Sequence, residues 1–254
     1  MKTSVIIPSW IRDDKTWQIT KNCIDSFKAS GDFEYVLIDN GSTLGSGYLR
    51  SEANIYIRFQ ENRGYTPAVN AGLQLATGDM IAVANNDIRV PTNWEEVCRE
   101  ILKKPEVATV HPRMQRYNDP FNFGDLVAIG GRERWCGFSF WVTSRTFLNR
   151  LRQVEEGKEP YPGLMDENYG IGGGADDWDF VHRERMFGKQ CYTNKTAFQH
   201  NDSFTLKQLG EEWKKIADQN NAYYFQKWGD TKEHISEKEI GSEQYKEDWR
   251  DGFL

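Results

Sequence analysis

Short apolar runs alternate with apolar residues at helical spacing along the first half of the chain. Ile19, Cys23 and Phe27 lie four residues apart and predict the buried face of a helix. Thr92 and Glu95 have the spacing of a capping box, which predicts that a further helix begins there. The apolar runs, typical of buried strands, lie at residues 4–8, 34–38, 55–59, 80–84 and 107–110. This alternation predicts an α/β fold with a mainly parallel central sheet flanked by helices.

The second half of the chain has a less regular pattern. Residues 113–134 are polar and rich in Gly and Asn, which predicts a long loop, and the aromatic run at 135–143 predicts a strand. No repeat or low-complexity linker divides the chain, so we expect one domain over residues 1–229 with a peripheral tail at 230–254. Further helices are predicted to begin at Ser144 and Thr205, and Asp176 is predicted to cap another.

The composition is typical of a water-soluble globular protein. The 254 residues are 38% hydrophobic and 28% charged, and the mean hydropathy is −0.73. No run approaches the roughly 20 apolar residues that a membrane helix requires. The apolar run near the N-terminus is too short for a secretory signal. These features predict a cytoplasmic protein without a transmembrane segment.

The net charge of −6 is concentrated in the tail. Residues 230–254 contain eight acidic and four basic residues, so they contribute −4. The rest is nearly neutral, which argues against a broad nucleic-acid-binding surface, since such surfaces need many Lys and Arg contacts to phosphates. However, seven arginines fall between residues 113 and 152. If they share one face, that face would suit an anionic binding partner.

Cysteine and aromatic content exclude few classes of protein. Cys23, Cys98, Cys136 and Cys191 are widely spaced and include no CxxC pair, which predicts reduced, buried thiols rather than a zinc site or disulfides. The 9 Trp, 11 Tyr and 14 Phe residues suit an aromatic core, and they also suit a sugar-binding surface.

The first candidate for chemistry is the polar segment Asn85, Asn86 and Asp87, which follows a predicted strand directly. Ligands of parallel sheets bind at the carboxyl ends of the strands. A carboxylate there can hold Mg²⁺ or Mn²⁺, which can in turn bind a diphosphate. The alternative is an Asx turn, in which these side chains bond only to their own backbone.

The second candidate is the acidic run at residues 176–179, which contains three aspartates after a glycine-rich loop. Asp176 suits a helix cap, and Asp177 is then available as a general base. His200 follows a predicted strand and is either a metal ligand or a structural histidine. The stretch 170–175 matches the GxGxxA dinucleotide fingerprint, but no apolar strand precedes it and two aspartates that would repel pyrophosphate follow it.

In their order and spacing, these motifs resemble a family 2-type glycosyltransferase, inverting and with the GT-A fold. The resemblance implies a single Rossmann-like domain and extends over residues 3–229. The matching segments are 5–10, 36–42, 61–72, 78–79, 85–87, 137–140, 166–167, 173–183, His200 and 227–229.

The resemblance implies a role for each matching residue. Asp177 would be the catalytic base with Asp176 as its neighbour, and Asp87 and His200 would hold a divalent cation, Mn²⁺ or Mg²⁺. The acceptor would contact Trp135, Trp178 and Gly173. The nucleotide-sugar donor would contact Pro8, Trp10, Asp39, Arg63, Asn70, Asn85 and Asn86, with Asp39 on the nucleotide base.

The implied reaction is transfer of a sugar from a nucleotide-sugar donor to an acceptor hydroxyl with inversion at the anomeric carbon. The glycine loop at 170–174 would close over the reactants and exclude water. The sequence departs from the family at Asn85, where the usual motif has an aspartate. One negative charge is therefore lost at the cation site, which predicts weaker metal affinity.

Several alternatives follow from the same residues. The acceptor class stays open among carbohydrate, lipid-linked sugar, protein and modified DNA, and the arginines between 113 and 152 would favour an anionic one. A nucleotidyltransferase would also bind nucleotide and metal at strand ends, but the segment after the first strand lacks the usual basic glycine-rich loop. A non-catalytic carbohydrate-binding protein would explain the aromatic content alone.

Overall fold

A computed structural model of the chain describes residues 2–116, 138–155, 164–171, 174–184, 188–201 and 211–228. The strands are β1 (Thr3–Ser9), β2 (Glu34–Asn40), β3 (Ile55–Phe59), β4 (Met80–Ala84), β5 (Ile88–Arg89), β6 (Val107–Arg116), β7 (Phe140–Ser144) and β8 (Lys189–His200). The helices are α1 (Asp14–Ser30), α2 (Ser46–Glu52), α3 (Tyr65–Leu75), α4 (Trp94–Ile101), α5 (Arg145–Glu155), α6 (Asp176–Glu184) and α7 (Glu211–Trp228).

The strands form one eight-stranded sheet in the order β3-β2-β1-β4-β7-β6-β8-β5. Strands β3, β2, β1 and β4 are parallel to one another, and β6 is parallel to β8. Strand β7 is antiparallel to both of its neighbours, and β5 is antiparallel to β8. The structure therefore confirms the predicted α/β fold with its mainly parallel sheet.

The core has two layers because both faces of the sheet are covered. All seven residues of β1 are buried, and successive side chains point to opposite faces of a strand. Val5 and Ile7 pack with Phe27 of α1 in one layer, whereas Ile6 packs with Leu73 of α3 in the other. This double burial explains why the central strands are continuous apolar runs.

The sheet must curl between β4 and β5. In a flat sheet the four strand spacings from β4 to β5 would span about 19 Å. The chain from Ala84 to Ile88 can reach only about 15 Å. Curling therefore brings β5 and β8 next to the end of β4, and the segment 85–87 lies at this junction.

Most of the predicted elements are present, and some boundaries differ. The five apolar runs all lie in strands, and Ser144 accepts a hydrogen bond from the Phe147 amide (3.1 Å) at the start of α5, as predicted. The capping box predicted at Thr92 and Glu95 is wrong. Helix α4 has Asn93 at its N-cap without a capping side chain, and the Glu95 carboxylate instead accepts a hydrogen bond from Thr3 and pairs with Arg99.

Three further predictions differ in detail from the structure. Residues 113–116, predicted as the start of a loop, form the end of β6. Asp176 is the first residue of α6 rather than a residue preceding it, and the aromatic strand begins at Phe140, after a turn at 138–139. The remaining parts of the predicted loop and strand, the helix start at Thr205 and the acidic tail lie outside the described residues.

The thiols behave as predicted where the structure describes them. Cys23, Cys98 and Cys191 are free and buried, and burial raises the pKa of each. Cys136 lies outside the described residues. Within the described part of the chain, no helix is both long enough and apolar enough to cross a membrane. The boundary at residue 229 stays a prediction.

Candidate active site

Pairing between β5 and β8 brings Asp87 and His200 together. Ile88 lies opposite His200 in this antiparallel pair, and the Asn201 amide donates a 3.0 Å hydrogen bond to the Asp87 carbonyl. Asp87 Oδ1 lies 3.3 Å from His200 Nε2, and both side chains are buried. Among the described residues, neither atom has a hydrogen-bond partner of acceptable geometry. Two buried polar atoms therefore face each other with unused bonding capacity, which is costly unless a ligand binds them.

This pair fits a divalent cation. A carboxylate oxygen and an imidazole nitrogen are both ordinary metal ligands. No group of three or more potential metal-binding side chains occurs in the described part of the chain. The protein would therefore supply Asp87 and His200, and the other ligands would come from a bound substrate or water.

The two asparagines before Asp87 are held by other elements. The Asn85 amide donates to the Ser139 carbonyl (2.8 Å), and Asn86 Nδ2 donates to Thr20 Oγ1 of α1 (2.8 Å). The Asn86 side chain thus bonds to a helix rather than to its own turn. This contact favours the interpretation of 85–87 as a rigid part of a binding site over an Asx turn at Asn86.

Asp39 lies at the end of β2 with its side chain fully buried. Its carboxylate accepts hydrogen bonds from the Tyr56 hydroxyl (2.9 Å) and the Ser42 amide (2.8 Å), and pairs with Arg58 Nη1 (2.9 Å). Burial raises the pKa of Asp39, but hydrogen bonds that include those from Ser46, Ser42 and Tyr56 outweigh it and leave the pKa below its ordinary value. Asp39 is therefore a fixed, ionised acceptor.

Pro8 and Trp10 lie at the end of β1, the strand that pairs with the strand of Asp39. Pro8 is buried opposite Ile38, and the next residue pair in the register is Ser9 with Asp39. The Arg12 guanidinium lies 4.1 Å from the centre of the Trp10 ring. Trp10 is therefore stacked on one face by a cation.

Arg63 and Asn70, both predicted to contact the donor, have different environments. Arg63 is exposed, with its guanidinium 5.0 Å from the centre of the Phe59 ring. Asn70 is buried in α3, where Nδ2 donates to the Met165 carbonyl (2.8 Å) and to the Glu167 carboxylate (3.0 Å). Asn70 thus holds the segment 164–168 against α3, and donor contact by either residue stays a prediction.

Asp176 and Asp177 lie in the first turn of α6, directly after a strained backbone. Ala175 has φ +60° and Gly174 has φ +92°, and such a positive φ is uncommon for a residue other than glycine. Thr66 Oγ1 of α3 lies 3.4 Å from Asp176 Oδ2, and the Asp177 carboxylate accepts a 3.0 Å hydrogen bond from the amide of Trp178. Both residues are partly exposed to solvent.

The surroundings of these carboxylates favour their neutral forms. Partial burial and then the charge of Asp176 raise the pKa of Asp177 to about 7, and burial and Asp179 raise the pKa of Asp176. Burial is the main cause that raises the pKa of Tyr65 in α3, and the nearby charges of both carboxylates raise it further. A carboxylate with a pKa near neutrality is suited to accept a proton.

The predicted acceptor residues are only partly described. Trp178 is half-buried and packs edge-to-face on Tyr224 of α7, with ring centres 5.8 Å apart. Trp135 and Gly173 lie outside the described residues. The predicted glycine loop is described at 170, 171 and 174. A Cβ atom at Gly64 would lie 3.2 Å from the Ile171 backbone, so this loop lies against the start of α3.

Arg113, Arg145 and Arg152 do not form one face in the structure. Arg113 is buried in β6. Arg145 donates to the Gly78 carbonyl (3.2 Å) and Arg152 to the Leu73 carbonyl (3.3 Å), so both bind the carboxyl end of α3. The carboxyl end of α3 precedes β4, whereas Asp87 follows β4. The two arginines therefore lie near the amino end of β4, opposite the end where Asp87 lies. The expectation of a shared anionic-acceptor face is wrong for these arginines.

Sequence reasoning missed a buried charge cluster behind α6. Lys227 of α7 contacts two buried carboxylates, Asp166 Oδ2 at 2.9 Å and Asp179 Oδ1 at 2.5 Å. Arg183 Nε also lies 3.1 Å from Asp179 Oδ2. The i, i+4 spacing of Asp179 and Arg183 was a usable signal. The partner lysine, 48 residues after Asp179, was not deducible from spacing.

Comparison with known proteins agrees with this architecture. The structure resembles S. aureus TarS 1–349 at a TM-score of 0.58 and 13% identity, over 93% of this chain and 75% of that one. It resembles the mannosyltransferase PcManGT from Pyrobaculum calidifontis, in complex with GDP-Man and Mn²⁺, at 0.62 and 17% identity, over 89% and 63%. It resembles GalNAc-T7 with UDP, GalNAc and Mn²⁺ at 0.58 and 15% identity, over 79% and 44%.

These similarities establish a shared fold, and a family model goes further. The model described as glycosyl transferase family 2 matches residues 4–161, which is more than half of the chain. The matched region contains Asp39 and the segment 85–87, the two polar strand ends of the parallel half of the sheet. The chain belongs to glycosyl transferase family 2 and is a glycosyltransferase.

Proposed function

We propose that this protein transfers a sugar from a nucleotide-sugar donor to an acceptor hydroxyl with inversion, using Asp177 as general base and a divalent cation held by Asp87 and His200. The observation that carries the proposal is the facing pair of buried atoms, Asp87 Oδ1 and His200 Nε2, which lack hydrogen-bond partners among the described residues. A cation between diphosphate and protein would satisfy both atoms. The complexes of PcManGT with GDP-Man and Mn²⁺ and of TarS with UDP support the donor class.

The donor would lie along the carboxyl ends of the parallel strands. Asp39, fixed by Tyr56 and Arg58, presents a buried acceptor that suits the N–H of a nucleotide base. Trp10, which is partly exposed directly after β1, provides an aromatic surface at the same end of the sheet, and Pro8 is buried beneath it in the strand. Asn86 lies next to Asp87 and suits the ribose or phosphate.

The cation site accounts for the leaving group. When bound, a divalent cation neutralises the charge that develops on the departing nucleoside diphosphate. Asn85 contributes no charge here, so the protein offers one carboxylate and one imidazole, and the donor phosphates supply further oxygen ligands. This mixed nitrogen and oxygen set admits Mn²⁺ and suits Mg²⁺ less well, since Mg²⁺ prefers oxygen ligands alone.

Asp177 accounts for the activation of the acceptor. Its carboxylate removes the proton of the acceptor hydroxyl while the oxygen bonds to the anomeric carbon. The bond between that carbon and the diphosphate oxygen breaks on the opposite side, and its electrons leave with the nucleoside diphosphate. Attack from the opposite side inverts the configuration. The raised pKa of Asp177 makes it a stronger base than an ordinary aspartate.

A thermal-shift screen tests the donor and the cation together. Nucleoside diphosphates and nucleotide sugars are added with and without Mn²⁺ to the native protein, to Asp87→Ala and to His200→Ala. Asp25→Ala is the matched control, because Asp25 is a half-exposed carboxylate of α1 that pairs only with its neighbours on the surface.

We expect Mn²⁺ to enhance stabilisation of the native and control proteins by one class of nucleotide, and this enhancement to disappear in both site variants. A nucleotide that stabilises Asp87→Ala as strongly as the native protein with Mn²⁺ would contradict the cation site. Release of pyrophosphate instead of nucleoside diphosphate on turnover would indicate a nucleotidyltransferase.

A further inference from the structure

Helix α7 lies against both sides of the glycine loop that precedes Asp176 and Asp177. The Gly170 amide donates to Asn220 Oδ1 of α7 at 2.8 Å, and Asn220 Nδ2 donates back to the Gly170 carbonyl at 3.3 Å. A Cβ atom at Gly174 would lie 3.2 Å from Ala217 Cα, so the loop backbone touches the helix. Helix α7 therefore supports the glycine loop that leads into the acidic end of α6.

Lys227 near the end of α7 joins the segments on either side of this loop. Its ammonium contacts Asp166, which precedes the loop, and Asp179, which follows it in α6. The lysine side chain is 13% exposed and each carboxylate only 1%. One buried cation thus bonds to two buried anions that are 13 residues apart in the chain.

The other partners of these carboxylates come from every element packed around them. Asp166 accepts hydrogen bonds from the Tyr223 hydroxyl of α7 (2.9 Å) and from the Asn168 amide (3.0 Å). Asp179 accepts from Trp228 Nε1 (2.8 Å) and Tyr169 Oη (3.3 Å) and pairs with Arg183. Burial raises the pKa of Asp166, but its hydrogen bonds and the charge of Lys227 outweigh this effect and leave the pKa below its ordinary value. This carboxyl is therefore ionised.

Among the described residues of this cluster, the charges balance only while Lys227 is present. Lys227 and Arg183 contribute two positive charges, and Asp166 and Asp179 contribute two negative ones. Removing one partner of a buried ion pair leaves an uncompensated charge. The Asp179 charge is already one of the causes that raise the pKa of Asp176, which lies three residues earlier in the same helix. Excess negative charge here would therefore act on Asp176, whose own charge is one cause of the raised pKa of Asp177.

We propose that Lys227 is a positioning residue for Asp177: by bridging Asp166 and Asp179 it fixes α6 against α7 and offsets the negative charge behind the acidic helix end. The proposal rests on the assignment of Asp177 as general base. It adds a part of the chain that lies outside the region matched by the family model, which ends at residue 161.

The direct test is a pH titration of the Asp177 carboxyl, monitored by NMR in protein labelled with ¹³C at the Asp carboxyls. The Asp177 signal is assigned by comparison with the spectrum of Asp177→Asn. We expect Lys227→Met to move the midpoint to higher pH, since a positive charge is lost, and Asp166→Asn to move it to lower pH, since a negative charge is lost. The double variant should titrate near the native midpoint. Lys227→Arg keeps the charge and should also titrate as the native protein does.

The opposite signs keep the test informative even where Lys227→Met does not fold, because Asp166→Asn and the charge-balanced double variant remain. Asp176, whose charge raises the pKa of Asp177, and Tyr65, whose pKa Asp177 raises, are unchanged in all of these proteins. Lys21→Met is the matched control, because Lys21 pairs with Asp25 on the surface of α1. An Asp177 midpoint that does not move in Lys227→Met, or in Asp166→Asn, would overturn the proposal.

Turnover separates this proposal from the proposed function. The assay follows release of nucleoside diphosphate from the sugar nucleotide that stabilises the protein most with Mn²⁺. We expect Lys227→Met to lower kcat by about tenfold to a hundredfold with the donor KM nearly unchanged, because the base and not the donor is displaced. If Asp177→Asn retains native turnover, the base assignment fails. If Asp177→Asn is inactive but Lys227→Met has native kcat, only the role of Lys227 fails.

Discussion

The two halves of the candidate active site are held in place by different kinds of interaction. The Asp87–His200 pair is positioned by backbone pairing between β5 and β8, whose register fixes both residues. The acidic end of α6 is positioned by side chains, through Lys227, Asp166 and Asp179. Loss of one side chain therefore affects the two halves differently.

This difference matches what the proposed function requires of each half. A cation and a diphosphate need ligands at fixed positions, and a strand ladder provides rigidity without depending on any one side chain. A general base needs a tuned pKa, and nearby charges provide that tuning. Among the described residues, Ala175 is the one residue other than glycine with a positive φ, and it belongs to the acidic half of the site. The acidic end of α6 should thus be the more sensitive half to mutation.

The largest effect is expected for Asp177→Asn. The amide cannot accept the acceptor proton, so kcat should fall by about 10²- to 10⁴-fold, the usual contribution of a general base. Nucleotide affinity should be unchanged, because the proposed donor contacts belong to the other half of the site. Stopped assays of nucleoside diphosphate release and calorimetric titration with the nucleotide measure the two quantities. Asp25→Asn is the control, and native turnover in Asp177→Asn would refute the base assignment.

Asp179→Asn tests whether the two halves are separable. It leaves Lys227 and Arg183 with one negative partner fewer, and breaking a buried pair costs about 3–5 kcal/mol. We expect turnover to fall by about a hundredfold and urea to unfold the variant more readily. Stabilisation by nucleotide with Mn²⁺ should persist, because β5 and β8 do not depend on Asp179. Parallel loss of nucleotide binding would show that the halves form one unit.

His200→Gln is the corresponding change in the other half. It removes one proposed cation ligand while the backbone pairing of Ile88 with residue 200 is kept. Turnover at low Mn²⁺ should fall by about a hundredfold, and part of it should return as Mn²⁺ is raised, since Asp87 is still present. A variant whose Mn²⁺ dependence equals that of the native protein would remove His200 from the cation site.

The pH profile of turnover at saturating Mn²⁺ and donor should show the raised pKa of Asp177. The base must be ionised, so activity is retained above a pKa of about 7 and falls about tenfold per unit below it. An ordinary aspartate would keep its activity down to about pH 4. A profile that stays flat from pH 8 to pH 5 would therefore mean that the ionised base is not a carboxyl with a raised pKa.

Much of the fold was predictable because its central strands are buried on both faces. Such strands are continuous apolar runs, and all five were found from the sequence. Helix α2 was missed because Leu49 is its only buried residue, so it has no apolar period. The end of β6 was predicted as loop because Arg113 and Gln115 are polar, although both are buried there. Hydrophobic pattern does not reveal a buried polar strand.

The parts of the candidate site that lie directly after a strand were predictable, and the parts that join distant segments of the chain were not. Asp39 and Asp87 follow apolar strands directly, so their place at the sheet edge followed from the pattern alone. The pairing of His200 with Asp87 came only from the family resemblance, because the partner strand β5 is two residues long and more than a hundred residues earlier. The charges of Asp166 and Lys227 are typical of a solvated surface in sequence. Their burial depends on the packing of α7, which no local pattern specifies.

The smallest effect is expected for Tyr56→Phe, which removes one hydrogen bond to Asp39. Arg58 and the Ser42 amide still hold the carboxylate, so its position is kept. One hydrogen bond contributes about 0.5–1.5 kcal/mol, so nucleotide affinity should fall by about two- to tenfold without loss of kcat. Calorimetric titration with the nucleotide measures this. Tyr48→Phe is the matched control, because its hydroxyl bonds to Asp25 on the surface. Equal losses in both variants would mean that Asp39 does not contact the donor.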